Sequence, residues 1–417
     1  MTTSGPRQML RQLFDAAVAA ASPAGAIPAN LPPLPRGRTV VIGAGKAAIA
    51  MAAAFENNWT GPLEGFVVAP HGYLHDLRRI AVMHGGHPVP DAGSLAAADR
   101  ALALAATLGA DDLLVALISG GGSALLSKPA PDIAMAEKLA LLKALLKCGA
   151  NIGELNCVRK HMSAAKGGRL AQAAGKARIH TLVISDVPGD DPEVVASGPT
   201  VADTTLNRDA LAVLKRYRID VPPSIRAALE APDALPVALN AGNETRVIVS
   251  PRHSFLAARA AAETMGLNVL YLGDRIEAES RDVARVHAAM ALEAAHNREL
   301  VTPPCVILSG GETSVTVRGK GRGGRNVEFA LALAIALAGE SRIHALAADT
   351  DGVDGMEPIA GAMIDPTTLD RARAMGLDPV ACLENNDAHR FFEALGDQVI
   401  TGPTHTNVND FRAILIT

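Results

Sequence analysis

Aromatic side chains are scarce: one Trp, three Tyr and eight Phe make up 3% of the 417 residues. Apolar residues still account for 49% of the chain. The core is therefore built mainly from Ala, Val, Leu and Ile, which suits helices packed on buried parallel strands. An excess of basic charge is also lacking. The formal net charge is -4, which argues against nucleic acid as the main partner, because phosphate backbones are met by clustered Lys and Arg. The four cysteines stand far apart, at 148, 157, 305 and 382. That spacing provides neither a zinc site nor a disulfide framework and suits a reducing compartment. No apolar run is long enough to cross a bilayer, and the best candidate, 101–118, is broken by Asp111-Asp112. The N-terminal segment lacks a signal-peptide core too. Asp15 interrupts it, and Met9, Leu10, Leu13, Phe14 and Val18 form a helical stripe instead. The expectation is a cytoplasmic protein with no membrane partner.

A chain of 417 residues is too long for one ordinary core, so about two domains are expected. Strand-like runs at 39–43, 65–70, 113–119, 180–185, 246–250, 268–272, 305–311 and 343–349 alternate with helical stretches at 94–108, 132–147, 253–266, 279–297 and 326–339. This alternation predicts parallel sheets with helices on both faces and ligands at the carboxyl ends of the strands. The Pro-rich stretch 231–240 divides the chain into 1–238 and 239–417, with a second possible break at 299–304. Several elements recur in both halves: a strand ending in Ser-Gly-Gly (117–125, 307–315), a Gly-Gly-Arg turn opening a helix (165–174, 321–332) and a strand ending in acids and glycine (183–191, 346–355). The recurrence reads either as structural similarity or as convergence.

The motifs each admit a plain reading beside a chemical one. Gly43-Ala44-Gly45-Lys46 follows an apolar strand and fits the G-x-G-x-x-[GA] pattern through Ala48. It reads as a simple strand-to-helix turn or as an anion cradle. A dinucleotide site would also need an acid at the end of the second strand, and "VVAPHG" ends in Pro70 and His71. Lys46 suits a phosphate better. Ser119-Gly120-Gly121-Gly122-Ser123 lets backbone amides converge on an anion, with hydroxyls at either end. Arg159, Lys160, His161, Lys166 and Arg169 surround the glycine pair 167–168, as a solvated basic face or as an anion site. Glu312, Lys320, Arg322 and Arg325 lie near one strand end, as a surface hairpin or with Arg325 clamping a carboxylate or a transferring phosphoryl group. Asp349, Asp351 and Asp354, and separately Asp186, Asp190 and Asp191, suit capping, a divalent cation or a general base. Thr404, His405, Asn407 and Asn409 form a turn or a site wall near the chain end.

Together, "GAGKAA", "GHPVPD", "SGGGSALL", "LNCVRKHMSAAKGGRLA", "SDVPGDDPEVVASGPT", "GGETSVTVRGKGRGGRNVEFAL" and "DTDGVDG" resemble glycerate 2-kinases of the class with a C-terminal MOFRL domain, from about residue 8 to about 412. The resemblance implies a Rossmann-like N-terminal domain, a smaller α/β C-terminal domain with the MOFRL region at about 304–412, and an active site in the cleft between them. It implies ATP-dependent phosphorylation of D-glycerate to 2-phosphoglycerate, with Lys46 and Arg325 in the active site. On this reading Gly43, Gly45, Ser119, Gly120, Gly121, Gly122 and Ser123 hold nucleotide phosphates. Glu312 or Asp351 orients the 2-hydroxyl, and Arg325, Lys166 and Asn407 contact substrate. Asp190 or Asp351 binds Mg²⁺ or another divalent cation. The expected assembly is a monomer or homodimer. Family members also carry the name hydroxypyruvate reductase, often in tartrate-degradation gene clusters, which keeps an NAD(P)H-dependent reductase as the alternative.

Overall fold

The computed structural model describes residues 5–74, 76–187, 189–232, 240 and 242–417. Two compact units emerge, Pro23–Ile248 and Met1–Ser22 together with Val249–Thr417. The expected division at 238/239 lies outside the described residues. The N-terminal helix Pro6–Ala20 belongs with the C-terminal residues, a placement that no single cut in the chain provides.

In Pro23–Ile248 the strands are β1 (Thr39–Ala44), β2 (Glu64–Pro70), β3 (Ala81–Gly85), β4 (Leu113–Ser119), β5 (Arg178–Ile184) and β6 (Glu244–Val249). Their order is β3-β2-β1-β4-β5-β6, and every pairing from β3 to β5 is parallel. Strands β1 and β4 are buried along their whole length. This follows from their unbroken apolar sequences, because a central parallel strand is covered on both faces. Alanines explain how the covering helix comes so close. Ala97, Ala98, Ala101 and Ala105 of the helix Ala92–Ala105 pack with Val40, Ile42, Phe66 and Leu114. The chain runs outward from β1 to β3 and then returns to place β4 on the other side of β1. The carboxyl ends of β1 and β4 thus flank the topological switch point, where open α/β sheets bind ligands.

The other unit holds β7 (Asn268–Tyr271), β8 (Cys305–Gly311), β9 (Ile343–Asp349), β10 (Gly361–Ile364), β11 (Gln398–Val399) and β12 (Asp410–Ile416), in the order β11-β10-β9-β12-β8-β7. This sheet departs from the expected parallel arrangement. Strands β7 and β8 are parallel, but β12 lies antiparallel between β8 and β9, and β10 is antiparallel to β9. The connection 350–360 between β9 and its neighbour β10 contains no helix, and antiparallel neighbours need no helical crossover. Four aromatics, Phe14, Phe255, Tyr271 and Phe411, share one hydrophobic cluster against this sheet. Phe411 lies 5.7 Å from Phe14 and 5.3 Å from Phe255 between ring centroids. Leu10, Leu13 and Phe14 of the N-terminal helix are fully buried there. Each such side chain contributes roughly 1.5–3 kcal/mol by leaving water. Among the described residues no helix is long and apolar enough to cross a membrane.

Two glycines explain the tight switch point. A Cβ on Gly43 would lie 2.6 Å from Val67 Cγ1 and 2.9 Å from Leu117 O. Gly45 has φ +136°, and a Cβ there would lie 2.1 Å from Ser119 Oγ. Gly45→Ala therefore combines backbone strain with a steric clash, and it should cost about 2–4 kcal/mol. Urea unfolding checks this. An unchanged midpoint would show that the two turns separate without cost.

Candidate functional site

The turns after β1 and β4 hold each other. Gly45 N–H donates to Val68 O at 3.2 Å and Lys46 N–H to Gly120 O at 2.8 Å. Ala47 N–H donates to Ser119 Oγ at 3.0 Å. The expected amide cradle around Gly43 and Gly45 thus needs revision. The amides of Gly45, Lys46 and Ala47 are committed inside the fold, and Gly43 lies within β1. The side chain of Lys46 is half-buried beside Gly121. Gly121 carries the contact outward. It has φ +82°, and a Cβ on it would lie 3.0 Å from the His87 ring and 3.5 Å from Lys46 Cγ. Gly122 is required by packing, since its Cβ would lie 2.8 Å from that of Ala196.

Beside Gly121 opens a cavity of about 550 Å³. Its walls include His87, Val89, Ser123, Leu139, Leu142 and Leu146, with the cations Lys138, Arg159 and Lys166. Lys166 was expected to meet substrate. It is 1% exposed, and its Nζ donates to Ser123 O at 2.8 Å and Leu126 O at 2.9 Å. Burial, then the neighbouring charges of Lys138 and Arg159, pushes its ammonium well below its ordinary value. Lys166 therefore fastens the short helix Gly122–Leu125 from beneath. Ser123 bonds to Ser197 Oγ at 2.7 Å. Ser197 donates its proton to Asn156 Oδ1 at 3.0 Å, and Arg159 Nη1 donates to the same oxygen at 2.8 Å. The Ser123 proton is consequently directed to Ser197, and Ser123 faces outward as an acceptor.

The other cations of the expected basic turn are used internally. Lys160 Nζ lies 3.4 Å from Asp203, Arg169 Nη1 donates to Lys160 O and Lys166 O at 3.0 Å each, and His161 Nδ1 lies 2.9 Å from Asn207 Oδ1. Lys138, Asn156 and Ser197 were missed in the sequence. Lys138 had a readable signal, because it shares a helical seam with the buried Leu141 and Leu145, where a lone lysine is out of place. On the loop after β5, Asp190 Oδ1 is buried with no hydrogen-bond partner among the described residues.

In the second unit the ends of β8, β12 and β9 lie side by side, Asp410 pairing with both Gly311 and Asp349. Arg325 opens the helix Arg325–Leu337 over these ends. Its Nη1 meets Glu312 at 2.8 Å, its Nη2 Asp349 at 2.7 Å and its Nε Asp410 at 2.7 Å. All three guanidinium nitrogens therefore face carboxylates. Burial alone would lower the guanidinium pKa, but Asp410, Asp349 and Glu312 hold it well above its ordinary value. A substrate carboxylate reaches Arg325 only by displacing one of them. Glu312 is the replaceable partner, its side chain being 52% exposed against 4% for Asp349 and 0% for Asp410. Asp410, missed in the sequence, also accepts from Thr313 N at 3.0 Å, from Asn326 Nδ2 at 2.9 Å and from the fully buried Arg412. Burial would raise its carboxyl, but Arg325 and Arg412 bring it below its ordinary value.

The surrounding loops are built rather than slack. Gly319, Gly321 and Gly324 each abut other residues: a Cβ would lie 2.3 Å from Asn385 O, 2.2 Å from Asn386 O and 2.4 Å from His389 Nε2 respectively. Asp354 accepts from Asn326 N at 3.1 Å and Val327 N at 2.9 Å, capping the Arg325 helix. Burial raises its carboxyl to about 6. Asp351 is 4% exposed and accepts from Val353 N at 2.8 Å. Asn407 is 4% exposed and accepts from Asn409 N at 3.3 Å. Among the described residues no three His, Cys, Asp or Glu side chains converge as a ready metal site.

The recurrence between the halves is partial. Both Gly-Gly-Arg turns have two glycines at positive φ, 57° and 77° at 167–168 and 74° and 96° at 323–324, with arginine starting a helix. However, β4 and β5 are neighbours, whereas β12 separates β8 from β9.

A Rossmann-ordered sheet with cations near its switch point, and a mixed sheet with an arginine among carboxylates, mark an α/β enzyme of two compact units. Residues 9–230 match the family described as a domain of unknown function (DUF4147), and residues 305–410 match the MOFRL family. A D-glycerate 2-kinase of Thermotoga maritima is 36% identical over 98% of both chains. A protein of Agrobacterium vitis, provisionally named a hydroxypyruvate reductase, is 52% identical over 98% of this chain and 94% of its own. The crystal structure of a Thermotoga maritima glycerate kinase matches 99% of both chains with TM-score 0.89 at 36% identity. The chain belongs to the glycerate kinase family that carries a MOFRL domain.

Asp410→Ala would leave buried Arg412 and the inner edge of Arg325 without their counter-charge. It should lower stability by about 3–5 kcal/mol, whereas Glu312→Ala, at an exposed ion pair, should cost at most about 1 kcal/mol. Chemical unfolding of both variants gives the comparison. Equal losses would refute the buried-anchor role of Asp410.

Proposed function

We propose that this protein transfers the γ-phosphoryl group of ATP to the 2-hydroxyl of D-glycerate, giving 2-phosphoglycerate, in the cytoplasm. The observation that carries the reading is the cation-rich switch point, where Gly121, packed beside Lys46, lines the same cavity as Lys138 and Arg159. Phosphoryl transfer needs positioning and charge neutralisation more than covalent chemistry. Such a site suits a polyphosphate.

Lys46 neutralises charge on the transferring group. In the absence of substrate, Arg325 holds Glu312 at 2.8 Å and Asp349 at 2.7 Å. Glu312, the exposed member, orients the 2-hydroxyl and accepts its proton as the new P–O bond forms. It suits this role better than Asp351, whose carboxylate already caps a turn. When the glycerate carboxylate arrives, it takes the place of Glu312 on one edge of Arg325, leaving Glu312 to turn to the hydroxyl. A bound Mg²⁺ would neutralise phosphate charge. Asp190, with its unpartnered buried oxygen, fits as its protein ligand, because Mg²⁺ usually takes one or two carboxylates beside phosphate oxygens.

The reductase reading has the name of the Agrobacterium vitis relative in its favour. Against it, β2 ends in Pro70 with no acid for a ribose. Glu64 lies at the opposite end of that strand and pairs with Arg38 at 3.1 Å.

Purified enzyme with ATP and D-glycerate should release ADP and give a ³¹P spectrum of the 2-phosphate. Lys46→Ala and Arg325→Ala should each lower kcat/KM about a hundredfold or more, the scale of losing one key charge stabiliser. Oxidation of NADH by hydroxypyruvate, without ADP formation from D-glycerate, would overturn the proposal in favour of the reductase.

A further inference from the structure

The cavity beside Gly121 has features that a binding role for a small hydroxy acid leaves unexplained. Lys138 is 1% exposed, and its Nζ has no hydrogen-bond partner among the described residues. It shares the cavity with Arg159 and Lys166, and no carboxylate lines that cavity. Lys166 is satisfied by two backbone carbonyls, and Arg159 has one bond to Asn156. Uncompensated cations buried together cost several kcal/mol each unless an anion meets them. Burial, then Arg159 and Arg169, lowers the Lys138 ammonium to about 8, and a multiply charged anion beside it would raise that value again.

A second part of the lining is apolar. Leu139, Leu142 and Leu146 come from the helix Met135–Lys147, which also carries Lys138 and Lys143 into the cavity. D-glycerate has one carboxylate and two hydroxyls and offers nothing to such a wall. The cavity volume of about 550 Å³ lies in the range of sites for larger cofactors. A ligand that joins several negative charges to a flat, weakly polar body satisfies both parts of the lining.

We propose that this cavity is the nucleotide site: Lys138 and Arg159 grip the polyphosphate of a nucleoside triphosphate, and the leucine face of the helix covers its base. The assignment rests on the kinase reading above and adds to it two cations and an apolar wall outside the glycine turns. Gly121 joins the cavity to Lys46, so the terminal phosphate leaves the cavity on the side where Lys46 stands. Ser123, an acceptor toward the cavity, is placed for a ribose hydroxyl or for a water on the bound cation rather than for phosphate oxygens.

Calorimetric titration of ADP, without D-glycerate, tests the site directly. Lys138→Met keeps the side-chain length and removes the charge. It should weaken ADP binding about 10- to 100-fold, the range for one charge-assisted hydrogen bond. Its KM for D-glycerate should stay within about twofold. Leu142→Trp should obstruct the base, weakening ADP while leaving inorganic triphosphate unaffected. If Lys138→Met does not fold, Leu142→Trp decides the matter. A raised KM for D-glycerate with unchanged ADP binding would make this the hydroxy acid's site and overturn the proposal. So would wild-type ADP affinity in the folded variants. Wild-type enzyme that binds ADP here but forms none from ATP and D-glycerate would overturn the kinase reading while leaving the site standing.

Discussion

The hydrogen bonds that tie the turn after β1 to the turn after β4 govern the rest of the first unit. Lys46 N–H and Ala47 N–H both point across to the 119–120 turn. A turn that spends its amides on holding a neighbour cannot also spend them on a ligand. The positive charge near this turn is carried by side chains: Lys46 beside Gly121, and Lys138 and Arg159 in the cavity that Gly121 also lines. The glycines remain necessary for a different reason. Gly43 and Gly45 let two chains approach until their backbones touch, and Gly121 lets a histidine ring and a lysine stem share its surface.

The two units carry opposite electrostatic imbalances. At the switch point, four cationic side chains, Lys138, Lys143, Arg159 and Lys166, line one cavity without a carboxylate. At the ends of β8, β9 and β12, one arginine faces three carboxylates, and a second buried arginine shares Asp410. Each imbalance selects a different task. The surplus of cations suits a polyanion. The surplus of carboxylates leaves Glu312 as the exposed member of the cluster, its side chain 52% accessible.

Much of the fold is legible in the sequence, because buried parallel strands read as unbroken apolar runs and the covering helices as alanine-rich stretches. Strands β1, β4, β8 and β9 all announce themselves in this way. Strand direction is not legible from the same signal. The run that becomes β12 carries no mark that it will enter antiparallel between β8 and β9. The short strands β3, β10 and β11 lack enough residues to show a pattern. At the site, the glycine and arginine motifs identify which loops matter but not what their atoms do. Glycine pairs suggest exposed amides, whereas here they reflect crowding. Arg325 reads as a clamp awaiting substrate, whereas its nitrogens are already occupied. Asp410 is hidden because an acid heading an apolar strand looks like an ordinary strand boundary. Lys138 is hidden because lysines are common on helices, and only its position in the seam of Leu141 and Leu145 distinguishes it.

The helix Pro6–Ala20 packs its Phe14 against Phe411, a residue near the far end of the chain. During synthesis, the first helix emerges long before the sheet that receives it exists. Pro23–Ile248 is continuous and can condense as soon as it leaves the ribosome, since domains generally form as units from the leading end. The leading helix must meanwhile wait with its apolar stripe uncovered until β12 is released. Strand β12 thus shelters a helix that is synthesised nearly four hundred residues earlier.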